Sequence, residues 1–127
     1  MNRQIIITAA LFGLVAVVFG AFGAHALKEN ISPSSLEAWK TAVSYQFYHT
    51  LALLFLSNFS KYRSRAIRIS YWAFTLGMVL FSGSIYLLSI DDLLGINLSF
   101  LGPVTPIGGF LLILGWFFLL LSAIKNK

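Results

Sequence analysis

Four stretches of this chain, 5–27, 41–60, 69–90 and 93–124, contain no Asp, Glu, Lys or Arg. A helix rises about 1.5 Å per residue and a bilayer core is about 30 Å thick, so about 20 apolar residues cross it. Three of the runs fit one crossing each. The fourth is too long for one and too broken by glycine and proline for two. A soluble fold is excluded by the same pattern, because 58% of the 127 residues are hydrophobic and only 10% are charged. With a mean hydropathy of +0.85, the chain has too few charges to solvate a surface, and lipid must be its main solvent.

The charges that remain report orientation. Lys61, Arg63, Arg65 and Arg68 crowd between the second and third runs, and in a four-span chain Arg3, Lys125 and Lys127 share their side. The other side holds only Lys28 and Lys40, and seven cations against two predict cytoplasmic termini. The net charge of +5 therefore does not imply nucleic acid, since the basic residues lie between hydrophobic runs rather than on one face. Cysteine is absent, which removes disulfides, thiol nucleophiles and cysteine-bound metal.

Along the chain, the first apolar run ends in Ala24-His25-Ala26 and mimics a cleavable signal, but residues 5–22 exceed the usual 7–15 residues of such a segment. The helix is expected to be retained. Its Ala9, Gly13, Ala16, Gly20, Gly23 and Ala24 share a sector of about 100°, a face suited to close approach of another helix. Two start signals precede the second helix: Ser32 before Pro33, and Ser34 with Glu37 as a capping box. Trp39 then falls at the interface, with His49 ten residues deeper. Helix three repeats the small-residue device with Ser70, Ala73, Gly77 and Ser84. After Asp91-Asp92, glycines and prolines break the helical pattern until about Pro106, beyond which Gly108, Gly115 and Ser122 recur every seven residues. The expected fold is all-α, a single four-span transmembrane helix bundle (about 5–27, 39–60, 67–90 and 106–124) with an apolar interfacial loop over 93–105.

One segment departs from plain hydrophobicity. Tyr45, Gln46 and His49 place hydrogen-bonding groups on one side of helix two, while Val43, Phe47, Leu51 and Leu54 on the other side suit lipid. Ionisable groups at that depth are costly and tend to face a bundle interior or a water-filled cavity. Two readings follow: an interhelical hydrogen-bond cluster that fixes helix register, or a proton or solute path through His49. No carboxylate lies within the spans to relay a proton, which favours the first. The only other histidine, His25, could meet Asp91 or Asp92 near the outer mouth, but without metal-motif spacing it reads as a helix end. No hydrolase, metalloprotease or phosphate-loop motif is present, and the chain is read as a non-enzyme without metal or cofactor. Its expected partners are the bilayer and other membrane helices, including a homo-oligomer.

Four blocks carry a family likeness: G-A-F-G-A-H-A-L-K at 20–28, W-K-T-A-V-S-Y-Q-F-Y-H-T-L-A-L-L at 39–54, L-F-S-G-S-I-Y-L-L at 80–88, and G-P-V-T-P-I-G-G-F-L-L-I-L-G-W at 102–116. Through them the chain resembles the small membrane proteins catalogued as domain of unknown function 423, also grouped as uncharacterised protein family 0382. The resemblance implies a retained first helix, four spans and a plasma-membrane location. It implies no activity.

Overall fold

The computed structural model describes residues 2–59 and 64–125, and within them the regular structure is entirely helical. Helix α1 (Asn2–Phe22) runs into a π turn at Gly23–Leu27, followed by α2 (Pro33–Phe59), α3 (Arg65–Ser89), the short α4 (Asp91–Leu94), a 3₁₀ turn at Ser99–Leu101, and α5 (Val104–Lys125). Ser60, Lys61, Arg63 and Lys127, which enter the span limits and charge count above, lie outside the described residues.

Of the two start signals for α2, Ser32 is the one used. Its Oγ accepts the Ser35 amide at 3.2 Å and its carbonyl accepts the Leu36 amide at 2.9 Å, with Pro33 first in the helix. Ser64 caps α3 in the same way, accepting from Ile67 N at 3.1 Å. Helix α5 begins at Val104, earlier than the proline pattern implied. Pro106 falls in its first turn, where an amide has no helical acceptor and its loss is cheap. Residues 91–103 are not a plain loop either: α4 ends on Gly95 in the left-handed region (φ 68°), and the 3₁₀ turn follows.

The long helices pack antiparallel to their neighbours in sequence: α1 on α2, α2 on α3, and α3, most extensively, on α5. Registers repeat every seven residues. A methyl carbon built on Gly13 would meet Thr50, and one on Gly20 would meet Val43, both at an ordinary 3.5 Å. The α3–α5 seam is tighter. At Gly115 the added carbon would stand 2.5 Å from the Phe74 ring and at Gly77 2.7 Å from Leu112, while at Gly108 it would fall 2.7 Å from Phe81 Cα and closer still to Phe81 N. Gly77, Gly108 and Gly115 are therefore what lets α3 and α5 touch.

Two expectations for α2 need correction. Trp39 is 3% exposed, so its indole lies inside the bundle rather than open to the headgroup layer. It is drawn inward because Gly23 has no side chain, since a carbon there would lie 2.6 Å from the indole, and because Nε1 donates to the Phe19 carbonyl at 2.8 Å. Val43 packs into the same inner cluster with Phe19, Leu27, Trp39 and Tyr86 rather than facing out. Leu51 and Leu54 do remain exposed, as do Leu11, Leu14, Val17, Phe110, Ile113 and Leu120. So much exposed apolar surface, spread over every long helix, requires a hydrocarbon solvent. Asn2–Leu27, Arg65–Ser89 and Ser99–Lys125 are each long and apolar enough to cross a membrane. Helix α2 has 27 residues, but its polar groups dilute its hydropathy.

Candidate polar site between the helices

Gln46 and His49 are 3% and 5% exposed, yet they serve different neighbours. Three residues advance a helix by about 300°, so the two side chains diverge by about 60° around α2. Gln46 turns toward α1 and α3. Its Nε2 donates to the Phe12 carbonyl at 2.7 Å and its Oε1 accepts the Tyr86 hydroxyl at 2.7 Å. His49 turns toward α5. Its Nδ1 lies 2.7 Å from the Tyr45 carbonyl one turn earlier, and the Trp116 indole donates to its Nε2 at 3.0 Å.

These partners fix the imidazole. An indole N–H only donates and a carbonyl only accepts, so Nδ1 carries the proton and Nε2 accepts: the neutral Nδ1–H tautomer satisfies both nitrogens. A second proton on Nε2 would set two donors against each other. Tyr45, expected to share this polar side, contributes its carbonyl, while its ring lies 40% exposed with its centroid 6.1 Å from that of His49 and 4.9 Å from that of Phe81.

Similar bonds recur along the bundle. Trp39 and Gln46, seven residues apart on α2, donate to the carbonyls of Phe19 and Phe12, seven apart on α1. Ser82 reaches the Ala42 carbonyl and Ser70 the Gly115 carbonyl, each at 2.8 Å. A carbonyl already used in a helix ladder has a second lone pair, and in lipid such a bond fixes register at about 0.6 kcal/mol on average. Tyr71 and Thr8 add a hydroxyl pair at 2.8 Å between α3 and α1. Tyr86 and Trp116 were missed from the sequence. The available signal was that a polar-tipped aromatic inside an apolar span needs a partner.

Two grooves flank the site. One, of about 740 Å³, lies between α2 and α5 and is walled by Tyr45, Tyr48, His49, Phe81, Phe110 and Trp116. The other, of about 380 Å³, lies between α1 and α3 beside Gln46, where Gly83 leaves open space. His25 is exposed on the π turn, and among the described residues no three His, Asp or Glu side chains gather as metal ligands.

Positions 19–109 match the family described as Protein of unknown function (DUF423). A UPF0382 membrane protein of Staphylococcus haemolyticus is 40% identical over 123 residues, covering 97% of each chain. The UPF0382 membrane protein YwdK of Bacillus subtilis is 38% identical over 125 residues, covering 97% of this chain and 98% of its own. No solved structure matches. Since the family match spans most of the chain and these relatives align almost end to end, the chain belongs to the DUF423 family of membrane proteins of unknown function.

Proposed function

We propose that this is a four-span protein of the cell membrane that acts as a structural or accessory subunit, not as an enzyme or a conductor, and holds its partners through helix surfaces. Helix α2 supplies the fourth crossing. It runs antiparallel between α1 and α3, and its amide and imidazole find partners inside the bundle, so its polar groups need no water. The charges support cytoplasmic termini: Arg3, Arg65, Arg68 and Lys125 lie at one end of the array, and Lys28, Lys40 and all four carboxylates at the other. Exposed Leu93, Leu94, Ile96 and Phe100 suit the outer membrane interface.

The accessory reading rests chiefly on one observation, the mutual satisfaction of the polar stripe. A conducting histidine needs water or solute within reach, whereas both nitrogens of His49 are taken by Tyr45 and Trp116. Because the chain has no cysteine, single cysteines at Glu29 and Asn58 bracket α2 without background. They label from opposite membrane faces with an impermeant thiol reagent if α2 crosses, and from the same face if it does not. The accessory role predicts stoichiometric co-purification with another membrane protein, or with a second copy, from native membrane. Recovery only as a monomer in mild detergent would contradict it.

A further inference from the structure

The groove between α2 and α5 has a chemistry of its own. Its walls are mostly aromatic and aliphatic, and its volume of about 740 Å³ is that of a small-molecule site. At its base stands His49. Nδ1 of that ring is committed to the Tyr45 carbonyl of its own helix, so the atom the ring presents, Nε2, is held as an acceptor. A flat ring with one N–H, the Trp116 indole, now occupies that acceptor. Its centroid lies 5.9 Å from that of His49 at 64°, and 5.2 Å from that of Phe74 at 74°, both edge-on arrangements.

Trp116 is 48% exposed, so its indole is only half covered. Its backbone is pinned, because neighbouring Gly115 lies against Phe74 and accepts from Ser70. With the helix held in place there, any opening of this contact would fall to the half-exposed indole rather than to the backbone. Turning aside would bare an acceptor nitrogen in an apolar setting, where an unpaired polar atom is costly unless a new donor replaces the old one.

We propose that this groove binds a membrane-soluble aromatic compound bearing one hydroxyl donor, of the phenol class, with His49 Nε2 as the acceptor and the Trp116 indole as the lid that it displaces. Donor-to-acceptor complementarity selects this class, since the indole is its internal stand-in. A simple acyl chain would fill the space but leave Nε2 unpaired. The proposal rests on the reading of α2 as a span, because the groove then opens into hydrocarbon. Cysteine labelling tests that reading separately, and the experiment below leaves it untouched.

The full chain in detergent micelles is titrated with para-hexylphenol and with its O-methyl ether, and the ¹⁵N shift of His49 Nε2 is followed by NMR. The phenol hydroxyl replaces the indole donor rather than adding a bond, but an O–H is the stronger donor to an imidazole nitrogen, so the parent should prefer the phenol over the ether by roughly a few-fold, with a shift of the Nε2 signal. Trp116→Phe keeps the ring but removes the internal donor, and should raise phenol affinity several-fold while leaving the ether unchanged. His49→Phe should erase the preference. Binding of neither probe, equal binding of both, or a preference that survives His49→Phe would overturn the proposal. If His49→Phe does not fold, Trp116→Phe decides alone: a lost phenol preference in that variant overturns it.

Discussion

The seam between α3 and α5 and the seam between α1 and α2 are both antiparallel with a seven-residue repeat, yet they are held by different means. At the first, glycines remove side chains so that α5 rests on the backbone of Phe81 and the ring of Phe74. At the second, Gly13 and Gly20 leave ordinary spacing, and Trp39 and Gln46 tie α2 to the carbonyls of α1. The first seam depends more on shape, although Ser70 also reaches the Gly115 carbonyl across it, and the second more on hydrogen bonds, although Gly23 also makes room for Trp39. In hydrocarbon, where apolar surface gains nothing by leaving the solvent, these are the two means of association available.

The difference predicts where substitution hurts. Gly108→Ala places a methyl into the Phe81 backbone, which cannot turn aside as a side chain can, and should cost about 3 kcal/mol or more, read as loss of folded protein in a thermal or denaturant series in micelles. Gln46→Leu strands the Tyr86 hydroxyl and releases the Phe12 carbonyl, and should cost about 1–2 kcal/mol by the same assay. Removing both Gln46 and Tyr86 should cost less than the sum of the single changes, because the Tyr86 hydroxyl is then no longer left unpaired. Gly20→Ala meets only Val43 at 3.5 Å, and should stay within about 0.5 kcal/mol of the parent. If Gly20→Ala proved as harmful as Gly108→Ala, the two seams would not differ as described.

The sequence carried some of this and not the rest, for physical reasons. Uncharged runs mark helices because they record local composition, and glycines seven residues apart on α5 mark a seam because that repeat is local too. Depth and facing are not local. Trp39 is of a type favoured at interfaces, and the absence of a side chain at Gly23, sixteen positions away, together with the Phe19 carbonyl, draws it inside. Tyr45, Gln46 and His49 share a broad side of α2, but that helix has neighbours on two flanks. The divergence of about 60° between Gln46 and His49 sends them to different ones. Their partners Tyr86 and Trp116 lie 40 and 67 positions away, beyond any periodicity.

The central claim is that the polar stripe of α2, whose groups are paired within the protein when no ligand is bound, carries nothing across the membrane. Purified protein in sealed liposomes with an imposed pH gradient tests it most directly, with protein-free vesicles and His49→Ala as controls. The account predicts proton leak equal to that of protein-free vesicles, unchanged by His49→Ala, together with a lower melting temperature for the variant. Proton flux well above protein-free vesicles, abolished by His49→Ala in a variant that still folds, would contradict it.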